Sequence, residues 1–107
     1  MKYLCLAFLD AETYGHMHLD YDETFRGSGR VIVAEALQAA EASTVVRVRQ
    51  GRMSITDGPF VETKEQLGGF LLIEARDLNE AILVASRIPS ARLGSVEVRP
   101  IRELGLA

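Results

Sequence analysis

The chain holds a single cysteine, Cys5, so it has neither an internal disulfide nor the thiols for a cysteine-based zinc site. That usage is compatible with a reducing compartment. It also lacks an excess of base: 12 lysines and arginines stand against 15 acidic residues, a formal net charge of -3. No broad cationic surface is then on offer to a phosphate backbone, and nucleic acid is not an expected ligand. Long apolar runs are missing too. Tyr3 to Leu9 is apolar or nearly so, but Asp10 stops it far short of membrane-spanning length. A signal peptide needs a longer apolar region and a small-residue cleavage site. A core strand, a cytoplasmic location and no membrane partner are the expectations. Internal repeats, low-complexity tracts and linkers are also absent, which leaves 1–107 as one domain.

Hydrophobic residues make up 48% and charged residues 25%, a balance that folds rather than stays disordered. Tyr3–Leu9 reads as a strand apolar on both faces. From Asp10 to Arg26 the residues Tyr14, Met17, Tyr21 and Phe25 fall at helical spacing, with Gly27-Ser28-Gly29 as the stop. Arg30–Leu37 is a second strand, rich in Val31, Ile32 and Val33. Gln50-Gly51 has the form of a two-residue hairpin turn. Pairing Arg49 with Arg52 then sets Val48 opposite Met53 and Val46 opposite Ile55 on one face, with Arg47 opposite Ser54 on the other. The Arg49–Arg52 contact is a like-charge pair. Phe70–Ala75 is another strand. Asp77 with Glu80 has the form of a capping box opening a helix whose apolar stripe is Leu78, Ala81, Ile82, Ala85 and Ile88, ended by Pro89. Gly94–Pro100 completes a βαβ(ββ)βαβ order, an α+β domain with an antiparallel sheet and two helices on one face.

Two helices cover one face of such a sheet, yet Tyr3, Cys5, Ala7 and Leu9 point one way and Leu4, Leu6 and Phe8 the other. Phe70 and Leu72 likewise oppose Leu71, Ile73 and Ala75. Leaving several large side chains in water forgoes about 1.5–3 kcal/mol each. A twofold homodimer that packs the uncovered faces together is therefore expected.

The chemistry-bearing run is Asp57-Gly58-Pro59-Phe60-Val61-Glu62-Thr63-Lys64-Glu65-Gln66-Leu67-Gly68-Gly69-Phe70. Gly58-Pro59 fixes a turn, and the Gly68-Gly69 pair is expected to close the connection before the strand resumes. Asp57, held at a strand end, is the first candidate acid or base, although aspartate in a turn also caps local backbone N–H groups. Glu62 and Glu65 are candidate carboxylate partners, Lys64 an anion contact, and Thr63 with Gln66 a possible capped helical turn. His16 and His18 alternate with Asp20 and Asp22, but side chains two apart on a helix diverge, so no metal site is expected. His18 remains a candidate acid–base partner of Asp57. Arg99 is a candidate clamp for a substrate carboxylate, with an ion pair to Glu97 as the simpler role. Cys5 packs as a small hydrophobe.

The same run resembles the signature of the YCII-related family, in its DGPF subgroup. The resemblance extends to Met1-Lys2-Tyr3-Leu4, Glu35-Ala36-Leu37, Asp77-Leu78-Asn79-Glu80-Ala81 and Gly94-Ser95-Val96-Glu97-Val98-Arg99-Pro100-Ile101. The segment from Asp10 to Tyr21 is shorter than the family's usual first helix region, and Ala39–Ala42 lacks the prolines more usual there. The resemblance implies a ferredoxin-like fold assembled as a dimeric α+β barrel. The turn geometry and ionisable groups of the run from Asp57 to Phe70 lead to the expectation of a small-molecule pocket there, with acid–base chemistry that needs no cofactor. Relatives in the wider group handle lactones and halogenated ring-cleavage products. Some DGPF members are encoded beside extracytoplasmic-function sigma factors, which implies the alternative of a non-catalytic regulatory domain with a protein partner.

Overall fold

The computed structural model describes residues 1–14 and 30–105. Strand β1 (Lys2–Asp10) leads into a single turn, α1 (Ala11–Tyr14), which Asp10 caps by accepting from the Thr13 N–H at 2.7 Å. The rest of the helix expected from Asp10 to Arg26 lies outside the described residues. There follow β2 (Val31–Ala36), a 3-10 turn over Ala40–Ala42, the hairpin strands β3 (Thr44–Arg49) and β4 (Arg52–Asp57), and β5 (Glu65–Glu74). Helices α2 (Leu78–Ser86) and α3 (Ser90–Leu93) and strand β6 (Ser95–Pro100) complete the chain. The main sheet runs β2-β5-β1-β6 and every pairing in it is antiparallel, the arrangement of a ferredoxin-like α+β fold. The hairpin β3–β4 is a second sheet of its own. No helix among the described residues is long and apolar enough to cross a membrane.

The alternation in β1 sets the layers. Tyr3 and Cys5 pack with Leu71 and Ile73 of β5 against Ala81, Val84, Ala85 and Ile88, and Ala7 and Leu9 are buried on the same side of the strand. Leu4, Leu6, Phe8, Phe70 and Leu72 occupy the opposite face and are half-buried, with no covering layer over them among the described residues. The hairpin has the expected register throughout, Val46 with Ile55, Val48 with Met53 and Arg49 with Arg52. Gln50 and Gly51 adopt φ of 53° and 74°, the doubly positive turn that matches strand twist.

Three expectations need correction. The Gly68-Gly69 pair does not close a loop. Strand β5 begins at Glu65, five residues before Phe70, and both glycines are buried inside it. Ala7 pairs with Gly69 and Phe8 with Leu67, so Gly68 is the extra residue of a bulge, while a Cβ on Gly69 would stand 2.9 Å from the Glu35 carbonyl oxygen. Second, the buried stripe of α2 is Ala81, Val84 and Ala85, leaving Leu78 and Ile82 each 49% exposed. Third, Pro89 does not simply end that helix; it precedes the short α3.

Asp77 caps α2 as expected, accepting from the Glu80 N–H at 2.9 Å. Glu80, 11% exposed, reaches the Arg76 guanidinium at 2.8 Å and Arg30 at 3.4 Å. Desolvation pushes its carboxyl up, but hydrogen bonds from Arg76 together with the charges of Arg30 and Arg76 hold it, on balance, below its ordinary value of 4.5. A carboxylate depressed in the folded state contributes stability above its unfolded pKa and loses it as pH falls through the folded one. Urea unfolding across the acid range is therefore expected to show a falling stability below about pH 4.5, with a shallower slope in Glu80→Gln. At the other end of the helical layer, Ser90 is fully buried and its hydroxyl has no hydrogen-bond partner among the described residues. An unsatisfied buried hydroxyl costs about 1–3 kcal/mol, so Ser90→Ala is expected to raise the unfolding free energy by about 1 kcal/mol in the same measurement.

Candidate functional site

Two connections carry the hairpin, residues 37–43 outward and 58–64 back, and they face each other across the end of the main sheet. Between them and the sheet lies a cavity of about 530 Å³. Its apolar walls include Leu9, Ala39, Pro59 and Leu67; its polar ones are Glu41, Glu62, Thr63, Lys64 and Gln66. The bulge at Gly68 belongs to this construction, because Leu37 donates its N–H to the Gly68 carbonyl at 2.9 Å and so ties the outgoing connection to the sheet. The returning connection is held internally. Thr63 donates its hydroxyl to the Glu65 carbonyl, and the Gln66 side-chain amide donates to the Val61 carbonyl at 3.0 Å and the Thr63 carbonyl at 3.1 Å. Gln66 does this from within β5, so the capped helical turn considered for Thr63 and Gln66 does not form.

A groove of about 830 Å³ adjoins the cavity, sharing Pro59 and Leu67 as walls and adding Phe8, Val45, Phe60 and Glu65. At the end of the open face, Ser95 donates its hydroxyl to Glu65 at 2.8 Å, and Lys64 and Glu97 complete that surface. Asp10, directly opposite Glu65 across the ladder, is held below its ordinary pKa by hydrogen bonds from Thr13, with the Lys64 charge adding to the effect.

The structure brings Glu62 and Lys64 into one cavity and sets Glu65 beside it. It does not bring Asp57 there. Asp57 is exposed at the base of the hairpin, paired with Thr44, while its neighbours Gly58 and Pro59 form the wall. The Gly58 N–H donates to the Ser43 carbonyl at 2.8 Å, closing the hairpin base. Arg99 lies on the open face of the sheet, in an ion pair with Glu97 at 2.5 Å, away from the cavity. His16 and His18 lie outside the described residues. Cys5 is buried, and desolvation pushes its thiol up to about 11, where no thiolate is available for chemistry at neutral pH. Among the described residues no three His, Cys, Asp or Glu side chains gather as a metal site.

Sequence reasoning missed Glu41, Asp10 and Ser95. Glu41 follows two alanines in a connection with no periodic signal. Asp10 was legible as a cap in principle, since Thr13 stands three residues on.

A family model for the YCII-related domain matches residues 1–105. An uncharacterized protein of Rhizobium meliloti (strain 1021) is 40% identical over 76 residues, which cover 69% of this chain and 61% of that protein. The matched part thus spans less than two thirds of that relative's length. With nearly every residue inside the family match, and with the sheet order and the connection over 57–70 described above, this chain belongs to the YCII-related family.

Proposed function

We propose that the protein is a cytoplasmic, homodimeric small-molecule-binding domain of the DGPF subgroup, with its ligand in the cavity between the two hairpin connections. The observation that carries this reading is the cavity itself: about 530 Å³, apolar along Leu9, Pro59 and Leu67, with Glu62 and Lys64 on one connection and Glu41 on the other. Volume and lining both suit a small organic ligand with an apolar body and a polar end. Lys64 supplies a cation for a carboxylate. Glu62 is the carboxylate on the same wall, and a proton exchanged with the ligand passes to or from it without a cofactor. Asp57 serves the hairpin base in this reading.

The subgroup assignment draws on Asp57-Gly58-Pro59-Phe60, whose middle residues are cavity wall. The dimer draws on the face bearing Leu4, Leu6, Phe8, Phe70 and Leu72, for which the described chain provides no covering layer. Packing that face against its twin makes a two-sheet barrel with each cavity at the rim. A second reading, a non-catalytic regulatory domain that binds a protein such as a sigma factor, is favoured by the exposed hairpin. Co-purification of one stoichiometric protein together with an unresponsive metabolite screen selects it over the first.

Sedimentation at micromolar concentration is expected to give a dimer, and Leu6→Asp, which places a charge at the centre of the open face, a monomer; a lone wild-type protomer overturns the assembly. In a thermal-shift screen of carboxylated lactones and related organic acids, stabilisation is expected to persist in Asp57→Asn and to weaken about tenfold or more in apparent affinity in Lys64→Ala, the loss of one charge-assisted contact. Equal response of the two variants removes Lys64 from the site.

A further inference from the structure

The β3–β4 hairpin is a ribbon that neither the main sheet nor the cavity accounts for. Val46, Val48, Met53 and Ile55 form one of its faces as two directly facing pairs, and they are 57%, 60%, 66% and 59% exposed. Arg47, Arg49, Arg52, Ser54 and Thr56 form the other, where Arg47 also lies over the Phe60 ring at 4.9 Å. Such clean alternation belongs to antiparallel strands that cover something apolar, and a lone two-stranded ribbon is marginal in water. Here the apolar side covers nothing among the described residues.

We propose that the hairpin is an arm whose Val46–Val48–Met53–Ile55 face docks on a second copy of this chain, at the rim of the open sheet face. The inference rests on the homodimer proposed above and adds a distinct contact to it. Charge selects the occupant. From Thr44 to Asp57 the ribbon carries three arginines against one acid, Asp57 at its base, and Arg49 and Arg52 oppose each other directly, an unfavourable pair without an anion. No ion pair among the described residues involves any of the three. Taking them and Asp57 from the 12 basic and 15 acidic residues leaves nine against fourteen, so the rest of the molecule is net negative by five. The rest of each copy is therefore acidic overall, opposite in sign to the other's arm. The edge strand β2 illustrates the fit: Val33, 41% exposed, and Glu35 stand on the open face, opposite Leu72 and Phe70. Apolar side chains of the arm meet that rim, and the long arginine stems reach round to its carboxylates. Reciprocal exchange of two arms closes the assembly at two copies.

The test is sedimentation equilibrium on the wild type, Val48→Ser/Met53→Ser and Arg49→Glu/Arg52→Glu, with Leu6→Asp as the variant of the open face. Both hairpin variants are expected to raise the dimer Kd about a hundredfold, the scale of a few interface anchors, while the protomer keeps its circular dichroism. The wild-type Kd is expected to rise with added salt as the arginine–carboxylate contacts are screened. A wild-type Kd in both hairpin variants overturns the arm and leaves the open-face dimer standing. A monomeric wild type overturns both. Wild-type protein that sediments with phosphatidylserine-containing vesicles, alongside hairpin variants that stay dimeric and no longer do so, assigns the arm to a lipid surface and overturns the present assignment.

Discussion

Strand β1 is the constraint on which the rest depends. It is paired along both edges, to β5 and to β6, and it is apolar on both faces. One face is satisfied by the helical layer, where Tyr3 and Cys5 are no more than 2% exposed. The other is satisfied in part, by the mutual contact of Leu4, Leu6, Phe8 and their β5 neighbours. A central strand of this composition has no polar side to offer water, and so the position of every other element, and the case for a twin subunit, follows from it.

Local sequence rules were enough wherever one short-range interaction dominated. The hairpin register followed from Gln50-Gly51, since a two-residue turn sets Arg49 against Arg52 and so fixes each later pair. Asp77 and Glu80 marked the start of α2 because the cap is a contact between residues three apart. Where two arrangements satisfy the same spacing, the sequence does not choose. Ala81, Ala85 and Ile88 fit an arc completed by Leu78 and Ile82 or one completed by Val84, and the tertiary contact selects Val84. Polar Glu65 and Gln66 resemble loop residues, yet the pairing of β1 with them extends the strand.

The site was legible to a similar depth. The run from 57 to 70 marked a connection that lines the cavity, with Glu62 and Lys64 on its wall and Glu65 on the adjoining groove. Asp57 was the reasonable first choice from a turn motif, but a residue at a hairpin base points where the ladder sends it. Here that is solvent, while Gly58 and Pro59 turn inward. Glu41 comes from a segment distant in sequence, brought in by the same hairpin closure that joins Ser43 to Gly58. No spacing rule reports a partnership made by two loops meeting.

That closure has a mechanical meaning. The ribbon is attached to the body through two strands of backbone, one containing Ala39 to Glu41 and the other Pro59 to Lys64, and these are also the jaws of the cavity. The tip of the ribbon lies six residues out along each strand from those two segments. Under the two proposals above, occupancy of the cavity and docking of the ribbon draw on the same two segments of backbone, so that a change in one is expected to shift the other.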